Sequence, residues 1–208
     1  ATALAISLGL AACSTTAPVP DLFPSPVVSD LGLTAGILYT EDFSNYTHTE
    51  SIPGEHKWVV TMGSANVAMF NSVFGSIFTE TVPLDGKESP RALARRVDLV
   101  VQPEVESYEF ATPADWDTHS FTVWITYRIK VMTPEGDLIT SWPVRAYGVS
   151  RHKLFGADES LADATTMAMR DAGAYVSLYF DDEPRIREWM REEAARLKLK
   201  ARRPGKQR

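Results

Sequence analysis

The sequence has 208 residues, 44% hydrophobic and 23% charged, which fits a folded globular chain of one domain plus tails and excludes a fully disordered or collagen-like polymer. No apolar run approaches the ~18–20 residues of a spanning helix. The formal charge of −6 argues against a general nucleic-acid binder, and no nucleic-acid partner is expected.

Ala1 to Ala12 reads ATALAISLGLAA. It is uncharged, rich in small residues and too short to span a bilayer, which is the composition of a signal-peptide apolar region. With no initiator Met or basic start, the sequence is expected to open inside such a signal. Leu10-Ala11-Ala12-Cys13, followed by Ser14, resembles the bacterial lipobox: a Leu, two small residues, then Cys. The resemblance implies that Cys13 carries a diacylglyceryl and an N-acyl group, of palmitate type, and becomes the new N-terminus. Each buried lipid CH₂ contributes roughly 0.8 kcal/mol, and more than one chain makes the anchor stable. Cys13 is the only cysteine, so no intramolecular disulfide can form. Ser14 stands at the lipoprotein sorting position. The resemblance implies that Asp there would retain the protein at the inner membrane, so Ser14 points to the outer membrane, with the protein facing the periplasm.

Residues 13–31 read as the lipidated Cys and a Pro-rich linker, with Pro18, Pro20, Pro24 and Pro26 favouring extended polyproline II geometry. At about 3.1 Å per residue such a spacer reaches up to roughly 50 Å. Leu22, Phe23, Val27 and Val28 are apolar enough for part of it to pack on the fold.

A single α+β domain is expected over 32–197. Gly32 to Thr40 reads as a first strand, and Glu41 to Glu55 as a polar loop with a Pro53-Gly54 turn. His56 to Met62 is a second strand, with Trp58, Val60 and Met62 on one face. Ser64 is the expected cap of a helix in which Val67, Phe70, Phe74 and Ile77 recur at steps of three and four, and Pro83 is its expected end. Val97 to Phe110 reads as a long strand bent at Pro103. Phe121, Val123, Ile125, Tyr127, Ile129 and Val131 alternate with polar or amphipathic neighbours, the clearest strand of the chain. Thr133 to Asp137 supplies turn chemistry, and Leu138 to Val149 returns antiparallel, with Pro143 suggesting an edge or a bulge. Ser160 is the expected cap of a second helix, whose buried stripe runs Leu161, Ala164, Ala168, Ala172, Tyr175 and Tyr179. Pro184 opens a third helix with Ile186, Trp189, Met190 and Leu197 on its apolar side. Residues 198–208 are expected to form a disordered basic tail. From Arg196 to the end there are seven basic residues and no acid, leaving 14 basic against 27 acidic residues, net −13, on the rest. The element order predicts an α+β fold: an antiparallel sheet of about four to five strands with two to three helices packed on one face.

This layout, from about Gly32 to Met190, resembles the small periplasmic lipoproteins of the YajG-like group, and is similar to ABC-transport auxiliary lipoproteins and the TolB N-terminal-like fold. The lipobox carries the resemblance, with Ser160-Leu161-Ala162-Asp163-Ala164 opening the Ala-rich helix and Ile186 to Met190 after it. It implies a non-enzymatic accessory, scaffold or assembly component of an envelope complex, held at the membrane by its N-terminal lipid.

The residues themselves offer few alternatives. His48, Glu50, Glu55 and His56 around the Pro-Gly turn could gather a metal, as in a periplasmic metal-dependent hydrolase, or stand as a solvated polar loop. Ser64 lacks the G-x-S-x-G elbow and reads as a cap. Glu104 and Glu106 share a strand face about 7 Å apart, near glycosidase spacing, but such pairs, like Glu109 beside them, usually mark a solvated sheet. Asp181-Asp182-Glu183 suit a helix N-terminus. No phosphate cradle appears, and neither catalytic nor metal-binding residues nor a cofactor is expected. On the first helix, Met69, Phe70, Val73 and Ile77, with Val67, Phe74, Phe78 and Val82, cover roughly 200°, wider than the ~100° stripe of one-sided packing. Met69, Phe70, Val73 and Ile77 are therefore the candidate surface for an envelope partner or self-association, with burial in the chain's own core as the alternative. Arg196, Lys198, Lys200, Arg202 and Arg203 are candidate contacts to an anionic surface, at about 1 kcal/mol per residue near charged lipid. A carrier of an apolar ligand, in a pocket between helix and sheet, is a third reading.

Overall fold

The computed structural model describes residues 14–52, 57–114, 119–151 and 156–201. In chain order the elements are β1 (Ser14–Pro18), β2 (Thr34–Leu38), α1 (Glu41–Ser44), β3 (Thr47–Ser51), β4 (Lys57–Thr61), α2 (Gly63–Ile77), β5 (Glu80–Leu84), α3 (Pro90–Leu93), β6 (Leu99–Ala111), β7 (Ser120–Met132), β8 (Leu138–Arg151), α4 (Ala157–Tyr179) and α5 (Pro184–Ala201).

The fold is α+β. Its main sheet has five strands in the order β5-β2-β6-β7-β8. The three long strands form an antiparallel meander, because two short connections return each strand beside its predecessor. The rest of the sheet is mixed: β2 pairs parallel with both β5 and β6. The irregularity in β6 lies between Val105 and Ser107, not at Pro103, which stays in register opposite Ile129.

Period-two alternation decides the faces. Phe121, Val123, Ile125, Tyr127, Ile129 and Val131 are buried. On the opposite face Arg128 pairs with Glu106 at 2.7 Å and Lys130 with Glu104 at 2.6 Å. α2 covers the apolar face through Phe70, whose ring meets Tyr127 edge-on at 5.3 Å. α4 lies across β8, where only glycine fits at position 148: a Cβ there would collide with the Ala164 carbonyl oxygen and the Ala168 nitrogen. α2 and α4 run in the same direction. Gly173 faces Met69 and Val73, and further along Phe78 meets Phe180 at 5.2 Å.

The outer edge of β8 is guarded. Pro143 has no N–H to offer, and the Tyr147 N–H, of the same parity, donates to Asp171 Oδ2 on α4 at 3.1 Å. Both devices blunt an edge that would otherwise recruit another strand.

A second sheet, ordered β1-β4-β3, closes the end of the core. Trp58 of β4 packs edge-on against Phe110 at 5.9 Å and Phe121 at 5.6 Å. β1 corrects the expectation of a free Pro-rich linker from residue 13 to 31. Ser14–Pro18 pairs parallel with Lys57–Thr61, and Ala17 and Val19 are buried. Residues 19–31 then run as a strap along α2. Val19 N–H donates to Thr61 O and Leu31 N–H to Ile77 O, both at 3.0 Å. Between those ends Ser72 Oγ donates to Pro24 O at 3.1 Å, and Thr79 Oγ1 to Asp30 Oδ1 at 2.7 Å. Gly32 N–H and the Thr79 hydroxyl together hold the Asp30 carboxyl below its ordinary range.

Other local expectations are also corrected. The polar loop at 41–55 contains α1 and β3. α2 begins at Gly63 with no side-chain cap, rather than at a Ser64 cap, because the chain crosses the backbone of Ser44 there and a Cβ at Gly63 would strike its carbonyl oxygen. α2 ends at Ile77, and Pro83 lies within the edge strand β5. α4 starts at Ala157 after a left-handed Gly156, and Ser160, buried, returns its hydroxyl to Gly156 O at 3.0 Å. Tyr175 and Tyr179 stand outside the buried stripe of α4, at 44% and 50% exposure. α5 carries the helix through Ala201, past the expected start of a disordered tail at residue 198.

Candidate functional site

The residues with chemical potential are dispersed. His48 and Glu50 alternate onto one face of β3, and His48 Nε2 lies 3.1 Å from Glu50 Oε2. The imidazole packs on Tyr108 at 4.8 Å and edge-on to Phe110 at 6.1 Å, so it serves as part of the seam between the sheets. Glu55, His56 and His152 lie outside the described residues, and His119 is exposed just before β7. Among the described residues no three His, Cys, Asp or Glu side chains gather as a metal site. Ser64 is exposed on the first turn of α2. Glu104 and Glu106, the spaced carboxylates, are each held by a cation from β7, and Glu109 is exposed.

The buried polar groups are structural in their contacts. Tyr127 Oη donates to Asn66 Oδ1 at 2.8 Å, and the Tyr108 and Thr165 hydroxyls share a 2.7 Å bond. Burial pushes the phenols of Tyr39, Tyr108 and Tyr127 well above their ordinary value.

The candidate partner surface is corrected outright. Met69, Phe70, Val73 and Ile77 are 0–3% exposed. The wide apolar arc of α2 meets the main sheet, α4 and the strap on successive sides, and the strap is the neighbour that sequence periodicity could not supply. Cys13 lies outside the described residues, immediately before β1. The backbone of α5 carries Arg196, Lys198 and Lys200, while Arg202 and Arg203 lie outside the described residues.

Two features escaped the sequence reading. One is the integration of the chain into the fold directly after Cys13, since Ser14 is already paired with Lys57. The other is an apolar groove between the strap and α4, lined in part by Phe23, Pro26, Arg170 and Ala174. The only signals for it were the small residues of α4 and the apolar residues of the supposed linker. No helix among the described residues is long and apolar enough to cross a membrane.

No family model matches the chain, and no curated protein matches it in sequence. Its fold is similar to that of a Xanthomonas campestris protein of family model DUF330, with 11% identity and a TM-score of 0.50, covering 79% of this chain and 92% of that one. It is also similar to a "putative neuraminyllactose-binding hemagglutinin homolog" from Helicobacter pylori, with 11% identity and a TM-score of 0.51, covering 86% of this chain and 98% of that one. A "putative lipoprotein" from Caulobacter crescentus matches at 8% identity and a TM-score of 0.36, over 53% of this chain and 73% of that one. The likenesses at TM-scores of 0.50 and 0.51 establish the fold alone.

Proposed function

We propose that this chain is a lipoprotein, anchored through Cys13 in the bacterial outer membrane and facing the periplasm. There it acts as a non-enzymatic accessory or assembly component of an envelope complex, formed with other envelope proteins or with copies of itself. The observation that carries the reading is the junction at Cys13. An apolar segment ends in a lipobox-like tetrapeptide, and the next residue enters β1. A lipid at that cysteine would hold the fold against the bilayer with no spacer between them. Such a short tether suits a component that works at the membrane surface. The basic residues from Arg196 onward would add attraction to anionic headgroups.

The test is replacement of Cys13 by Ser in the full chain, with metabolic palmitate labelling and membrane fractionation. The variant is expected to lose the label and to leave the membrane pellet or stall unprocessed. Retained labelling defeats the reading. Ser14→Asp tests the address: density-gradient fractionation should move the protein to the inner membrane, and an unchanged outer-membrane fraction would remove the sorting argument. For the assembly role, the unaltered protein cross-linked in its native membrane should migrate as a discrete complex, whereas a purely monomeric product would argue against it.

A further inference from the structure

The groove between the strap and α4 has a volume of about 230 Å³. That exceeds the ~150 Å³ of an apolar cavity able to hold a benzene-sized guest. Its chemistry is one-sided. Pro24 and Pro26 bring no N–H to the strap wall, and the Pro24 carbonyl is already taken by Ser72. The facing helix offers Ala174, whose methyl group leaves width that a larger side chain would fill, while Gly173 lets Met69 and Val73 close up against α4. Met69 and Val73 close the floor. Among the described residues, the one ionisable side chain lining the groove is Arg170. Among the described residues it makes no hydrogen bond or ion pair, whereas the neighbouring Asp171 is committed to the Tyr147 N–H. The strap residues that flank the lining in sequence, Leu22 and Val27, are exposed at 80% and 102%, and Leu178, one turn beyond Ala174 on α4, at 59%.

We propose that this groove binds a free fatty acid, with its acyl chain between the strap and α4 and its carboxylate on the Arg170 guanidinium. An apolar slot with one unengaged cation matches a single-chain anion in both shape and charge. A lone cation answers one negative charge, and a single acyl chain fits a narrow slot between one strap and one helix. Prolines in the strap wall keep the slot open without an ordering cost on binding, since their φ angles are already fixed. The inference is independent of the lipid at Cys13, because the groove is built only from described residues of the fold.

The test uses the full chain carrying Cys13→Ser, purified without detergent, and titrated calorimetrically with laurate, dodecanol and dodecylammonium. Laurate is expected to bind one to one, at least tenfold more tightly than dodecanol, with dodecylammonium weakest. Arg170→Gln should weaken laurate about tenfold and abolish its preference over dodecanol. Ala174→Trp, on an exposed position of α4, should fill the slot and remove binding of both. Circular dichroism verifies that each variant is folded, and Arg170→Lys provides a second charge-retaining variant that should restore part of the preference. No saturable laurate binding by the parent overturns the proposal, as does undiminished binding by folded Ala174→Trp. Equal binding of laurate and dodecanol by the parent removes the carboxylate assignment. Tighter binding to phosphatidylglycerol vesicles than to laurate, with loss on Ala174→Trp, would replace the fatty acid by a membrane surface and overturn the proposal in that form.

Discussion

The two sheets solve the same burial problem at different distances along the chain. The meander β6–β7–β8 is built from consecutive segments, and each strand finds its neighbour across a short stretch of sequence. The small sheet instead brings Ser14–Pro18 beside Lys57–Thr61, with β2, α1 and β3 in between. Local pairing of the first kind leaves a mark in sequence, as alternation plus turn chemistry. Pairing of the second kind costs more loop-closure entropy and is justified only by what it buries. Here it buries Ala17, Val19, Trp58 and Val60 against the end of the main sheet.

The sharpest way to break the larger region is Gly148→Val. The added side chain meets helix backbone, which cannot step aside as a flexible side chain would. α4 would have to lift from β8, and the loss should reach at least about 4 kcal/mol, the exceptional end for a single substitution. Urea unfolding should show it as a lowered midpoint or as failure to fold. The matching break in the smaller region is Ala17→Asp, which places a carboxylate at a fully buried position of β1. A loss of about 3 kcal/mol is expected, the scale of an uncompensated buried charge. A negligible effect there would mean that β1 contributes little, and that residues 14–18 behave as the spacer their composition suggests.

That contrast explains what could be read in advance. The strand at 120–132 was evident because apolar and polar residues alternate along all of it. The helix at 63–77 was evident from its three-four spacing. Its neighbours were not, because an apolar arc does not say which surfaces cover it: the strap is part of the answer, and its prolines look like a linker. β1 and β3, STTAP and THTES, carry almost no apolar alternation, so neither declares itself. Gly63 and Gly148 are needed because backbone from far along the chain passes close to them, a condition no local pattern records. Of the candidate sites, the lipobox-like tetrapeptide was legible because its chemistry is contiguous. The groove was not, because its walls come from three separate segments.

A smaller effect is expected where α2 meets β7. Tyr127→Phe removes the donor to Asn66 Oδ1, while Asn66 Nδ2 already lacks a partner among the described residues. The cost should be about 1–3 kcal/mol, and adding Asn66→Leu should recover part of it, since deleting both polar groups is cheaper than stranding one. The same buried phenols set the alkaline limit. Their folded values lie above the ordinary 10.0, so the folded state holds more protons than the unfolded state at high pH. Their contribution is therefore fully present below about pH 10 and is lost as pH rises toward the folded values. Ultraviolet titration should show Tyr108 and Tyr127 ionising only together with unfolding. Ionisation of all seven tyrosines near pH 10 in the folded protein would refute their burial.

The smallest expected effect has the opposite sign and separates the two sides of α2. Gly75 is exposed, and a Cβ there would meet nothing within 4 Å. Gly75→Ala should therefore stabilise the monomer by about 1 kcal/mol, the intrinsic helix preference for Ala over Gly. On the facing helix, Gly173 is different: its Cβ would sit 3.2 Å from both Met69 Sδ and Val73 Cγ2, so Gly173→Ala must displace core side chains to gain the same preference. Stabilisation by the first substitution and not by the second would place the close packing of α2 on its α4 side and leave the Gly75 side open. A destabilising Gly75→Ala would mean that something presses on that open side. Light scattering on parent and variant then identifies it: a parent heavier than one chain, reduced to monomer by the single methyl group, would place a second copy against Gly75 and return a partner role to α2, on the face opposite to the buried residues first expected to carry it.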